Sequence, residues 1–297
     1  MILLLSINLP TILIFYILHK TKPQTVTTLP PGPPPLPLIG NIHQLGRAAE
    51  PHIYLHHLSK KYGPIIHMKL ASRPLLVISS AKLAKQVLKI QDLAFCSTPN
   101  FLGQQKLSYN SSDVAFTPFN EHWKEIRKTT QIHLLGNKRV QSYRHVREEE
   151  ISRMITEIYS STSEEVDLSE VVLSTGIRIL CRITFGKRYE EGGSERKVFH
   201  RILRGFDALA TVFFVSNYFP AFGLVDKISG RVKRADVMCK AMDSFYQELI
   251  DEHLESKKIK DEEEDMLAVL MKLKNDDESS SGLTWDKIKA LLMVSLV

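Results

Sequence analysis

Trp123 and Arg127 stand four residues apart in the segment EHWKEIRKTTQIHLL, which follows the helix-capping residue Asn120. A spacing of four residues places both side chains on one face of the predicted helix. An indole N–H and a guanidinium are hydrogen-bond donors, so together they suit a partly buried carboxylate. The same pair also stabilises a helix surface by local packing, and for an isolated Trp-x-x-x-Arg pair this structural interpretation is the default.

The three cysteines, Cys96, Cys181 and Cys239, are the other residues with the chemistry to hold a metal. They are scattered, odd in number, and form no Cys-x-x-Cys or Cys/His cluster with metal-ligand spacing. Such a set is typical of buried free thiols in a reducing compartment. No metal site is predicted from these residues.

The composition is that of a globular protein, with 43% hydrophobic and 24% charged residues in a chain of 297. The formal net charge is +6, but the basic residues are interspersed with acidic ones and no Lys/Arg block stands out. A nucleic-acid partner is therefore excluded.

The first 20 residues predict a membrane anchor, because residues 2–18 are uncharged and mostly aliphatic. A secretory signal peptide is the alternative. Against it, no basic residue precedes the apolar run, and the HKTKPQ that follows lacks a small-x-small cleavage site. His19, Lys20 and Lys22 follow the span, so the positive-inside rule places the rest of the chain in the cytosol.

Residues 21–40 predict a stiff hinge, since LPPGPPPLPL (29–38) carries six prolines that exclude both helix and inner strand. A solvated linker or a PxxP ligand is the alternative interpretation. Residues 41–297 are expected to form one globular body.

The body is predicted to be mainly α-helical with one small β-hairpin. IIHMKL (65–70) and PLLVIS (74–79) are β-rich and joined by three residues. Helices are expected over 50–62, 81–91, 121–135, 143–159, 168–185, 233–258, 265–273 and 285–297, with capping residues Ser80, Asn120, Asp167 and Thr284. The helix ending near Gly186 is apolar almost all round and is expected to be central and buried.

Two segments have no regular pattern. Residues 93–120 lose periodicity and predict a long loop, which in a compact body is often functional. Residues 196–225 begin as a helix and end in FFVSNYFPAFGLVD, which is consistent with a buried loop or with one that dips into a membrane.

Several motifs in a fixed order resemble the cytochromes P-450, the haem-thiolate monooxygenases, and among them the large plant microsomal group. The resemblance covers the whole chain. After the apolar N-terminus, its motifs are PPGPPPLPLIGNIHQL (30–45), KYGPI (61–65), FTPFNEHWKEIRK (116–128), RITFGKRY (182–189) and LTWDKIKALLM (283–293). It implies the N-terminal portion of the P-450 fold behind a single anchor helix.

The resemblance also assigns roles to residues. It implies that Trp123 and Arg127 hydrogen-bond a propionate of haem, and that 107–116 is the first substrate-recognition loop. Val114 and Phe116 are then candidate substrate contacts, although core packing explains two apolar side chains equally well.

This chain departs from the family pattern at two positions, with Asn120 where glycine is usual and Lys124 where arginine is usual. Neither change removes the propionate donors.

The family's catalytic motifs are not among these residues. No cysteine stands in Phe-x-x-Gly-x-Arg-x-Cys-x-Gly, and both Glu-x-x-Arg and the oxygen-activating Ala-Gly-x-Asp/Glu-Thr are missing, the latter expected just after Val297. The resemblance therefore predicts no catalytic residue and no iron ligand in this chain. The isolated chain is expected to be inactive, with the apolar faces of Ile179, Leu291 and Leu292 left unburied.

Two functions follow, from different classes. In the first, the chain is the N-terminal fragment of a monooxygenase in the endoplasmic reticulum membrane, which hydroxylates a small lipophilic substrate with O2 and electrons from an NADPH-dependent reductase. In the second, it is a haem-free, membrane-tethered helical binding protein.

Overall fold

The computed structural model of the chain describes residues 29–47, 50–160, 165–189, 193–255, 264–276 and 282–295. The predicted anchor (1–20) and the first part of the predicted hinge (21–28) lie outside the described residues. The chain divides into two compact units, residues 1–95 with 218–220, and residues 96–217 with 221–297.

The described residues are mainly helical with one two-stranded antiparallel sheet, as predicted. The strands are β1 (Ile65–Leu70) and β2 (Arg73–Ile78). The helices are α1 (Ile42–Arg47), α2 (Pro51–Tyr62), α3 (Ala81–Lys85), α4 (Asp92–Phe95), α5 (Leu102–Leu107), α6 (Glu121–Thr129), α7 (Asn137–Ser142), α8 (Arg144–Ser160), α9 (Leu168–Phe185), α10 (Ser194–Thr211), α11 (Val215–Tyr218), α12 (Gly223–Ile228), α13 (Arg231–Glu255), α14 (Met266–Asn275) and α15 (Trp285–Ser295). Helices α3 and α6 each continue into a π-helical turn, Gln86–Ile90 and Thr130–Leu134.

The predicted hairpin is confirmed in the first unit. Ile65 lies opposite Ile78 and Leu70 opposite Arg73, so the connection is the two residues between Leu70 and Arg73. The turn is one residue shorter than predicted, because Arg73 already pairs with β1.

The proline-rich segment is docked onto β1 from Pro31 onward. The His67 amide donates to the Pro31 carbonyl at 3.1 Å. The buried Asn41 side chain donates to the Pro34 carbonyl at 3.2 Å and accepts from the Lys69 amide at 2.9 Å. Gly40 has φ +61°, and a Cβ there would lie 2.1 Å from the Lys69 carbonyl oxygen. Only glycine allows the chain to approach the strand so closely.

The second unit contains the larger hydrophobic core. Its largest fully buried side chains come from α5, α9, α10, α13, α14 and α15 and the segments next to them: Leu107, Phe185, Phe199, Phe214, Tyr246, Ile250, Leu267, Leu270 and Ile288. The apolar face predicted for 233–258 is confirmed, since Met242, Phe245 and Leu249 are buried on α13.

The predicted helix starts are confirmed at the capping residues. The Asn120 side chain accepts from the Trp123 amide at 2.8 Å, and Asp167 accepts from the amides of Ser169 and Glu170. Ser80 and Thr284 cap α3 and α15 in the same way. Each cap satisfies amides that the first helical turn leaves without an intrahelical partner.

Three sequence predictions are wrong. The loop over 93–120 contains α5 and part of α4, short helices that have no long apolar period. Helix α9 is not buried all round, since Val172 and Leu173 are 52% and 65% exposed. Leu291 and Leu292 are buried, because α15 packs against α14 and α9, and Ile179 is half-buried.

The buried residues of α9 include polar and charged side chains beside Cys181 and Phe185, and Arg178 belongs to an ion-pair cluster with α8. Glu150 and Arg178 are 0% and 3% exposed and lie 3.2 Å apart. Arg182 and Arg188 each approach Glu150 at 3.0 Å, and Arg178 also contacts Glu157 at 3.2 Å. Burial alone would raise the pKa of Glu150, but the neighbouring guanidinium groups outweigh it and hold that pKa below its ordinary value.

Among the described residues no single helix is long and apolar enough to cross a membrane. One bent pair, Lys197–Tyr218 with Pro220–Ile228, reaches the required length and composition together, with an angle of 106° between its parts.

Candidate cofactor and substrate site

Helix α6 carries the predicted donor pair on one face. Asn120 fixes the helix start, so Trp123 lies in the first turn and Arg127 one turn later. The Arg127 guanidinium lies over the Trp123 ring, 4.9 Å from its centroid, in a cation–π contact. The structure thus brings together the two residues that the sequence paired.

The indole of Trp123 already has a hydrogen-bond acceptor. Its Nε1–H donates to the main-chain carbonyl of Val114 at 2.9 Å, and its ring packs edge-on against Phe119 at 5.4 Å. Trp123 therefore ties the preceding loop to α6, a contact that the sequence does not predict.

The guanidinium of Arg127, in contrast, has no anionic partner among the described residues. Its residue is exposed, and no described carboxylate forms an ion pair with it. A guanidinium without a carboxylate partner, held over an aromatic ring, is available for a planar anionic group.

The loop before α6 is organised by a buried carboxylate. One oxygen of Asp113 accepts from the amides of Phe116 and Thr117, at 2.9 and 3.1 Å, and from the Thr117 hydroxyl at 3.2 Å. Its other oxygen is buried with no hydrogen-bond partner in the described residues. Burial raises the pKa of this carboxyl, although the three hydrogen bonds oppose that shift.

Val114 and Phe116 both pack against the hydrophobic core and are half-buried. The Phe116 ring lies 6.2 Å from that of Phe206 on α10, and its carbonyl accepts from the Thr98 hydroxyl at 3.0 Å. Phe116 thus joins this loop to α10, and Val114 joins it to α6.

Three consecutive residues upstream, Tyr109 to Ser111, have left-handed backbone conformations with φ of 49°, 60° and 63°. The Tyr109 hydroxyl donates to Asp243 at 3.0 Å, and Lys289 donates to the same oxygen at 2.7 Å. Burial and the adjacent carboxylate both raise the pKa of Tyr109. These bonds to α13 hold a turn that non-glycine residues seldom adopt.

Two of the three cysteines, Cys181 and Cys239, lack the environment of a thiolate ligand. Cys181 is fully buried, and burial raises the pKa of its thiol to about 12. Burial also raises the pKa of Cys239. A metal-binding thiol needs a lowered pKa. Within the described residues no group of three or more His, Cys, Asp or Glu side chains is placed to hold a metal ion.

The roles of Asp113 and of the Val114 carbonyl are not predicted from the sequence. The signal for Asp113 is an acidic residue followed three and four residues later by Phe116 and Thr117, a spacing at which a carboxylate caps the amides of a turn. The Val114 contact has no sequence signal, because it uses a main-chain atom.

Comparisons with known proteins agree on one family. The family described as Cytochrome P450 matches residues 30–297. The chain is 43% identical over 295 residues to the 5-OH-xanthotoxin synthase of Ammi majus, covering 98% of this chain and 58% of that protein. It is 42% identical over 294 residues to the 6,7,8-trihydroxycoumarin synthase of Pastinaca sativa, covering 98% and 57%.

The fold agrees with this. A zebra fish cytochrome P450 solved with progesterone is similar with a TM-score of 0.65 and 19% identity, covering 83% of this chain and 55% of that one. The chain thus spans somewhat more than half the length of these proteins.

Proposed function

Because the chain belongs to the cytochrome P450 family, we propose that it is part of a plant monooxygenase that hydroxylates a small lipophilic specialised metabolite. The similarity to two enzymes whose names describe hydroxylated products supports this over a haem-free binding protein. When bound through a cysteine thiolate, haem supplies the activation of O2. The electrons are proposed to come from an NADPH-dependent reductase.

The observation that carries the proposal is the guanidinium of Arg127, which lies over the Trp123 ring and forms no ion pair with a described carboxylate. An exposed guanidinium with no carboxylate partner fits one propionate of the haem. The role of Trp123 differs in the described structure, since its N–H is held by the Val114 carbonyl. We propose that Arg127 supplies the main ionic contact, and that Trp123 orients its guanidinium and joins the propionate contact when the Val114 bond opens.

The residues of this chain do not supply the thiolate ligand of the haem iron. Cys181 is buried and protonated, and the other two cysteines lack the family's ligand motif. We propose that the isolated chain does not form a thiolate-haem complex, and we derive no oxygen chemistry from it.

Substrate is proposed to meet the loop at Val114 and Phe116, where an apolar side chain would exclude water from the reacting centre. The C-terminal end of the loop is held at Val114 by Trp123 and at Phe116 by Phe206, so α6 and α10 set its position there. The proposed location is the endoplasmic reticulum membrane, with residues 1–20 as anchor, 21–40 as hinge and 41–297 in the cytosol.

Haem titration tests the role of Arg127. The Arg127→Ala variant of the 297-residue chain is expected to bind haem about tenfold more weakly, because a hydrogen bond to a charged group is lost. Lys128→Ala removes the neighbouring exposed cation on the same helix and is the matched control. Equal haem affinity in both variants would contradict the proposal.

Reduction under carbon monoxide tests the iron ligand. The isolated chain is expected to lack the absorbance band that gives the family its name. Sequencing the transcript beyond the codon for Val297 is the complementary test, since an in-frame cysteine motif would supply the ligand.

A further inference from the structure

A polar cavity of about 420 Å³ lies within the second unit, and none of Trp123, Arg127, Val114 and Phe116 lines it. It is formed by the π-helical turn after α6, by α7, by the start of α8, by the last turn of α9 and by the residues before α14. Its volume is within the range of small-molecule sites, about 300–1,000 Å³.

The Tyr143 hydroxyl is the first indication of a ligand. The residue lines the cavity and is 6% exposed, yet its hydroxyl proton has no acceptor among the described residues. Burial raises the pKa of Tyr143 to about 12, so the hydroxyl keeps its proton at neutral pH. A buried donor without an acceptor is rare in folded proteins.

The acidic groups of the cavity already have partners. Glu264 forms ion pairs with Arg139, at 3.5 Å, and with Lys272. The two oxygens of Asp265 accept from the Ala268 amide at 2.8 Å and face the His253 ring at 2.9 Å. Neither carboxylate therefore accepts a hydrogen bond from the Tyr143 hydroxyl.

The cavity is also lined by basic side chains. Lys138 has no ion pair with any described carboxylate. The His145 Nδ1–H donates to the Ser142 carbonyl at 2.9 Å, so Nε2 of the neutral ring is an acceptor, and His133 also lines the wall. Tyr143 and Lys138 thus face one cavity with no acceptor of their own.

We propose that this cavity binds a small oxyanion-bearing molecule, an organic acid or a phosphate ester, through Tyr143 and Lys138. A negatively charged oxygen accepts from the Tyr143 hydroxyl and balances Lys138, which no group of the described protein does. The volume accommodates a molecule larger than a bare ion. The site is independent of the haem contact proposed for Arg127.

Isothermal titration calorimetry on the 297-residue chain in detergent tests the proposal. Inorganic phosphate and citrate are the two probes, and they distinguish the phosphate source from the carboxylate source. Glycerol, a neutral probe, is expected to give no binding heat at the same concentration. If neither anion binds, the proposal is overturned.

Variants locate the site. Tyr143→Phe is expected to weaken the tighter-binding anion about tenfold, and Lys138→Gln by a similar factor, because each removes one charge-assisted contact. Tyr159→Phe and Lys128→Gln, both at exposed positions outside the cavity, are the matched controls and should not change the affinity.

A second readout separates ligand binding from a structural role. Without ligand, Tyr143→Phe is expected to keep the melting temperature of the parent chain, since the hydroxyl proton has no acceptor among the described residues. A lowered melting temperature, or anion affinity unchanged in both cavity variants, would overturn the assignment.

Discussion

The ion-pair cluster between α8 and α9 leads to the sharpest prediction, the replacement of Glu150 by leucine. Among the described carboxylates, Glu150 is the one that Arg178, Arg182 and Arg188 share, and it is fully buried. Removing it leaves three guanidinium groups around an apolar side chain. Breaking a buried ion pair by deleting one partner costs about 3–5 kcal/mol.

The remaining partners place the expected cost at the lower end of that range. Arg178 keeps Glu157 at 3.2 Å, and Arg182 keeps the exposed Glu149 at 2.8 Å. We therefore expect Glu150→Leu to lower the free energy of unfolding by about 3 kcal/mol. Arg178→Met should cost less, about 1.5–3 kcal/mol, because Glu150 keeps two guanidinium partners.

Urea unfolding followed by circular dichroism measures these changes. Glu148→Gln is the control, since its ion pair with Arg144 is exposed and joins residues one helical turn apart, and it should leave the free energy of unfolding nearly unchanged. The double variant Glu150→Leu/Arg178→Met should be more stable than Glu150→Leu alone, because fewer buried charges lack a partner. A loss below about 1 kcal/mol for Glu150→Leu would refute this reasoning.

The remaining predictions concern Trp123 and His253. Trp123→Phe keeps an aromatic ring but loses the bond to the Val114 carbonyl, so stability should fall by about 0.5–1.5 kcal/mol and limited proteolysis should cut the preceding loop faster. Unchanged proteolysis would show that this bond does not hold the loop. Burial lowers the pKa of His253, but hydrogen bonds to Asp265 and the Leu249 carbonyl outweigh it and raise that pKa. The stabilisation by the charged His253 ring is therefore complete below about pH 6.5 and is lost as pH rises through the folded-state pKa. The difference in free energy of unfolding between the parent chain and His253→Gln should narrow from about pH 6 to about pH 9.

The parts of the fold that the sequence predicts are those set by local chemistry. Asn120 and Asp167 cap helices because their side chains reach amides two or three residues away, which depends on no other part of the chain. The β-hairpin is predictable for the same reason.

The parts that escape prediction depend on which face of an element meets another. Arg178 is buried and Leu173 exposed on the same helix, because α8 presents Glu150 to the polar side of α9. Hydropathy alone favours the opposite orientation. The donor pair on α6 follows from its spacing, whereas the Val114 carbonyl that Trp123 binds is set by the path of the loop.

The exposed apolar side chains of α9 have a practical consequence for handling the protein. Val172 and Leu173 are open to solvent beside Gly176, where an added side chain would meet no atom within 4 Å. Polar residues introduced at these exposed positions would raise solubility without disturbing the hydrophobic core. Changes on α15, whose leucines are buried, would instead lower the stability of the fold.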